Sequence, residues 1–180
     1  MDALAGPYAV VAALLVVAGA LEVHRPDSTV GALRALGAPV PPLVVRTGAV
    51  AGAVLGALAL AGDGGTLGSV VAGLVAVVYL AFGGFVAVAL LRNSPIASCG
   101  CFGRDDTPPS VTHIVLNLAS ALVAVAVAVS PESGIPGVVA DQPGLGIPFV
   151  LMTAGCGFLA YLSFTQLPRT LALARGKRLQ

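Results

Sequence analysis

Apolar runs long enough to cross a bilayer recur five times along this chain, and they leave room for little else. They fall at about 7–23, 43–61, 67–91, 111–129 and 146–167, and each is near the roughly 20 residues a helix needs to traverse a hydrocarbon core ~30 Å thick. With 57% hydrophobic and only 9% charged residues in 180, no soluble globular domain fits the composition. The sequence therefore predicts an all-α, polytopic membrane bundle of about five transmembrane helices. Residues 1–180 form one membrane domain, ending in a tail at 168–180. Membrane lipid is its first partner. A net charge of +1 gives nucleic acid nothing to bind, so no nucleic-acid partner is expected.

The polar breaks define the rest. Asp2 precedes the first run and no Lys or Arg does, whereas a secretory signal starts with basic residues. The run is therefore read as a retained span, although Ala18-Gly19-Ala20 resembles a signal-peptidase site. Glu22, His24, Arg25 and Asp27 end it, either as a solvated, mutually neutralising helix end or as a proton-handling cluster. A short interfacial helix is expected around Val30 to Leu36. Gly48, Gly52 and Gly56 recur every four residues in the second span, a stripe on which another helix can approach closely. Asp63-Gly64-Gly65-Thr66 reads as a tight turn that folds spans two and three into an antiparallel hairpin. Ser110 is the expected N-cap of the fourth span, and Ser130-Pro131 stops it.

Basic residues set the expected orientation. With the amino end outside, Arg25, Arg34, Arg46, Arg92, Arg104 and the tail residues Arg169, Arg175, Lys177 and Arg178 all fall on the cytoplasmic side. Asp2, Asp63, Glu132 and Asp141 lie outside. The chain is thus expected in a bacterial plasma membrane, with its carboxyl end cytoplasmic.

One stretch carries the chemistry. Cys99-Gly100-Cys101-Phe102-Gly103 lies in the charged loop before the fourth span. A Cys-Gly-Cys triplet can close on itself as a small strained disulfide, and strained disulfides are the exchangeable kind. The attacking species is a thiolate, which needs a nearby positive field. Arg92, Arg104, His113 and the amino end of the fourth helix are the candidate sources, and Asp105 and Asp106 oppose them. The expected catalytic residues are Cys99, Cys101, Arg104 and His113, with no cofactor.

Three other uses of these residues remain open at this level. The pair can be two buried small residues in a glycine-rich turn. It is too small for a closed zinc site, which wants four ligands, unless His113 and Cys156 join it. It suffices for a soft ion such as Cu(I). Cys156, between Gly155 and Gly157 in the fifth span, is expected to be a packing residue, and a resolving thiol only if the loop dips to mid-membrane. His113 and Asn117, four apart, share one face of the fourth span. There they either hold neighbouring helices together or line the redox pocket.

The order of spans, the polar break with a basic residue and proline after the first, and above all Cys99-Gly100-Cys101-Phe102-Gly103 before a later span resemble the methylamine-utilisation MauE family, itself similar to DoxX-like membrane proteins. The resemblance covers about 7–129. It implies a multi-pass protein that helps an exported partner, such as a methylamine dehydrogenase subunit, acquire its disulfides or cofactor, with a thioredoxin-like protein as a possible redox partner. The competing class is a non-catalytic membrane scaffold, or a protein handling copper or another small solute. The resemblance and the charge count pull apart, because an oxidant of exported proteins would hold its cysteines outside. Either reducing equivalents are relayed from a cytoplasmic thiol, or the motif is reached from the outer side at membrane depth, or the orientation is inverted.

Overall fold

In the computed structural model, residues 4–62, 64–92, 109–130, 136–137, 140, 143–167 and 170 are described. Six helices account for nearly all of them: α1 (Ala5–His24), α2 (Asp27–Ala35), α3 (Pro42–Ala61), α4 (Thr66–Leu91), α5 (Val111–Val129) and α6 (Pro143–Thr165). All but α2 are long and apolar enough to cross a membrane, so the protein is an integral multi-pass membrane protein. The expected spans agree with these helices to within a turn, and α5 to the residue.

The boundaries follow local chemistry. Pro26 occupies the N-cap of α2, where no backbone N–H is needed. Pro41 is extended and Pro42 opens α3, the first helical position being the one where proline's fixed φ suits the helix. Between α3 and α4 the chain reverses through Gly65, whose φ of 91° is a left-handed conformation that costs glycine little. The expected turn thus holds at Gly64 and Gly65, while Asp63 lies outside the described residues.

Helix α1 is the centre of the bundle. Val11, Ala12 and Leu15 meet Val75, Ala76 and Tyr79 of α4 and Ala121 and Ala124 of α5 in one buried core. The most extensive pairings are α1 with α3 and α4 with α5. Lipid tails are as apolar as leucine, so nothing resembling the aqueous hydrophobic effect drives these pairings. Small side chains that admit close backbone approach take over. A Cβ placed on Gly56 would stand 2.7 Å from Ala12 O, and one on Gly19 would stand 2.5 Å from Ala49 O. The glycine stripe of α3 is therefore used at one end only: Gly52 has ordinary contact with Leu15, and Gly48 faces open space. The second contact glycine is Gly19 of α1, outside that stripe.

Large apolar side chains such as Leu43, Leu67, Leu122 and Met152 point outward around the bundle, where acyl chains would cover them. The last helix is held lightly. It leans on α1 and barely touches α5, and within Gly146–Thr165 only Gly146, Phe164 and Thr165 are buried. Cys156 consequently faces outward as a free, exposed thiol rather than filling a packing position. The face α6 turns to α1 carries Phe149, Thr153 and Gly157, and Cys156 is off it.

Candidate functional site

The segment that joins α4 to α5 carries Cys99, Cys101 and Arg104, and those three residues lie outside the described ones. Its two anchors do not. On one side α4 ends at Arg92, whose guanidinium donates to Leu36 O at 3.1 Å, tying that end of α4 to the end of α2. On the other side the chain enters α5 through Ser110, which is extended at φ −147° and ψ 160°.

Ser110 stands at the N-cap, as expected, but its hydroxyl does not cap the helix. The hydroxyl instead shares a 2.8 Å hydrogen bond with His113 Nδ1, while His113 N donates to Ser110 O at 3.0 Å. The imidazole is a polar ring in an apolar span, only 2% exposed, and it would be costly there without a partner. Ser110 supplies one and fixes the ring's orientation.

From His113 a polar stripe runs down α5. Asn117 and Ser120 are buried as well, and the Asn117 amide donates to His113 O at 2.7 Å. Asn117 lies against Gly83 of α4, where an added Cβ would approach the Asn117 Cβ to 3.4 Å. The face shared by His113 and Asn117 therefore turns into the bundle and not toward lipid. One turn of α4 away, the Tyr79 hydroxyl donates to Val11 O at 2.7 Å, joining α4 to α1 through the core. The spacing of His113 and Asn117 made their common face legible. Tyr79 was overlooked, although a mid-span tyrosine whose hydroxyl must find a partner is a signal of the same kind.

A second polar element was read otherwise from the sequence. His24, Arg25 and Asp27 are exposed, and His24 Nδ1 donates to Ala20 O at 2.8 Å. Glu22 does not join them. Its Oε1 is sealed from solvent without a hydrogen-bond partner among the described residues, and its carboxyl has a side-chain hydrogen bond with Thr29 of α2. Three of the four side chains at this helix end are thus solvated as expected, and Glu22 departs from them, half-buried beside α2 with its Oε1 closed off. Glu22 and Thr29 lie at one end of a cavity of about 550 Å³ between α1, α2, α3 and α4, whose walls include Leu15, Leu55, Phe82 and Phe85. Another cavity, of about 460 Å³, lies between α1 and α6 and is apolar throughout apart from Thr153 and Tyr161.

Among the described residues no three His, Cys, Asp or Glu side chains converge as a metal site. The chemistry available is a buried, oriented imidazole at the start of α5, a half-buried carboxyl at the end of α1, and the cysteine pair in the segment between α4 and α5. A family model described as "Methylamine utilisation protein MauE" matches residues 3–130. The match takes in α1 to α5 and the Cys-Gly-Cys stretch, and leaves α6 outside. No curated protein and no solved structure matches the chain.

Proposed function

Because the chain belongs to the methylamine utilisation protein MauE family, we propose that this multi-pass membrane protein performs thiol–disulfide exchange through Cys99 and Cys101 in support of the maturation of an exported partner. A disulfide-rich subunit of the methylamine dehydrogenase kind is the type of client that the resemblance implies. The observation that carries the proposal is the Cys99-Gly100-Cys101 triplet itself, inside the matched region and shortly before the buried His113. Two cysteines one residue apart are poorly explained by packing.

In the proposed step, a thiolate of the partner attacks one sulfur of a Cys99–Cys101 disulfide and displaces the other as thiolate, which forms a mixed disulfide. The partner's second thiolate then attacks its own sulfur in that bridge. The partner leaves with a disulfide and two electrons fewer, and Cys99 and Cys101 are left as a dithiol. Arg104 and His113 are assigned the part of favouring the thiolate. Support for His113 in that part is its fixed orientation by Ser110 at the entrance to α5.

The distribution of basic residues supports placing this end of the bundle on the cytoplasmic side. Exchange is then relayed through a thioredoxin-like thiol protein rather than delivered directly to the exported client. The test is alkylation with a mass-tagged maleimide before and after mild reduction, in wild type and in Cys99→Ser and Cys101→Ser. Two tags gained on reduction are expected in wild type. Thiols that stay free under oxidant, or client maturation that survives replacement of both cysteines, would overturn the function.

A further inference from the structure

The cavity between α1, α2, α3 and α4 is open on one side. Val44 and Gly48 of α3 and Ala81 and Phe82 of α4 line it and are exposed, so its mouth lies between two membrane-spanning helices and faces the bilayer. The hairpin leaves this gap. Although a tight turn joins α3 to α4, the two pair far less closely with each other than α3 does with α1 or α4 with α5. Gly48, the end of the α3 stripe with open space beside it, forms part of the wall.

Length and lining select the occupant. Along α3 the wall runs from Val44 to Leu55, eleven residues or about 16 Å. That is about half of a ~30 Å hydrocarbon core, the depth of one leaflet's acyl chains. The polar residues of the described wall are Glu22 and Thr29, and these two hydrogen-bond each other. The remaining wall is apolar and matches a hydrocarbon chain. Left empty, a cleft of about 550 Å³ would forfeit the dispersion contacts that such a chain makes with its lining.

The polar end of the cleft supplies a charge. Arg92 follows Phe85 of the wall by seven residues, which returns it to nearly the same face of α4. Its exposed guanidinium is anchored on Leu36 O at 3.1 Å, one turn beyond Leu33 of the wall. That bond uses one of five N–H donors, and the planar fork of the others suits a phosphate. Arg34, in the last turn of α2, is also exposed. The acids stand away from them: Asp27 starts α2, about 14 Å along the helix from Leu36, and Glu22 is bonded to Thr29 near that far end.

We propose that this cleft is the seat of one anionic phospholipid, with an acyl chain lying between α1, α3 and α4 and the phosphate held by Arg92 and Arg34 where α2 ends. The bound chain fills the wedge between the α1–α3 pair and the α4–α5 pair, where the protein supplies little contact of its own. The site is independent of the thiol function, because no described cysteine belongs to it.

The test is native mass spectrometry of the full chain, delipidated in detergent and titrated with phosphatidylglycerol or phosphatidylcholine carrying the same long chains. One phosphatidylglycerol per chain is expected, bound about five-fold or more tighter than phosphatidylcholine, the factor a single arginine contributes at a membrane surface. Replacing both arginines (Arg34→Gln, Arg92→Gln) should remove the preference and leave phosphatidylcholine binding as it was. Gly48→Leu and Ala81→Leu, on the two lips of the mouth, should each weaken both lipids by about ten-fold. Equal affinity for the two lipids, a preference that survives loss of both arginines, or full binding by both lip variants would overturn the site. Dihexanoyl phosphatidylglycerol or inorganic phosphate binding as tightly as the long-chain lipid would reduce it to an anion contact and overturn the part given to the cleft. Arginine variants that lower stability while the ratio between the two lipids stays unchanged would leave Arg92 only an anchor for α2, and overturn the headgroup site.

Discussion

Tyr79 and Val11 are 68 residues apart in sequence, and the tyrosine hydroxyl reaches the valine carbonyl at 2.7 Å inside the bundle. The bond joins the pair formed by α4 and α5 to the pair formed by α1 and α3, where the rest of the contact is apolar. Tyr79→Phe keeps the ring and removes the bond. Hydrogen bonds between membrane helices contribute on the order of 0.6–2 kcal/mol, so the variant should fold and lose about that much stability. Unfolding in a mixed-micelle denaturant titration measures it, and a loss within error of zero would remove the bond from any structural account.

The backbone contact between α1 and α3 makes a second prediction with its own control. Leucine at Gly19 or Gly56 must displace backbone atoms within 3 Å of its Cβ, and overpacking of this kind costs ~1–3 kcal/mol or more. Both variants should show a lower melting temperature in detergent or fail to accumulate. At Gly48, on the same helix and stripe as Gly56, an added Cβ meets nothing within 4 Å, and leucine there should stay within ~0.5 kcal/mol of wild type. Equal effects at all three positions would contradict the packing described.

His113 can be probed through the sulfurs it is proposed to serve. An imidazole that favours thiolate lowers the pH at which Cys99 and Cys101 react, so its removal should raise that pH. His113→Ala is expected to shift the midpoint of iodoacetamide labelling upward by up to about one unit. Ser110→Ala should give a smaller shift in the same direction, since it frees the ring to turn. A purely structural His113 would lower stability and leave the labelling profile where it was.

Orientation is open to direct measurement. On intact cells, a membrane-impermeant maleimide should fail to label single-cysteine variants retaining Cys99 or Cys101, and should label them once the membrane is opened. Labelling from outside would place the amino end in the cytoplasm and bring the pair to the side where an exported client could meet it unaided.

Much of the fold was readable because the bilayer punishes irregular backbone. Pro108-Pro109-Ser110 and Ser130-Pro131 bracket α5 so tightly that its limits at Val111 and Val129 follow from the sequence. The short α2 was anticipated a few residues late, because Pro26 and Asp27 start it before its apolar residues begin. Three-dimensional neighbours were harder. Gly19 looked like part of a cleavage site, and only the approach of α3 makes it a contact residue. Glu22 looked solvated among charged neighbours, and only the fold-back of α2 half-buries it and closes off its Oε1. Cys156 looked like filler because a glycine-flanked cysteine gives no hint of which way its helix turns. The stripe of His113 and Asn117 was legible as one face, and their burial fits the rule that polar groups avoid lipid.

The light seating of α6 bears on how the protein is made. Helices α1 to α5 bring together their own core, their Tyr79–Val11 tie and their polar stripe without it, and chains generally fold from the amino end as they are synthesised. Insertion can therefore finish the working part of the molecule while α6 is still inside the ribosome. The last helix arrives at an assembled body and takes a berth along the outside of α1, with Cys156 left facing the acyl chains.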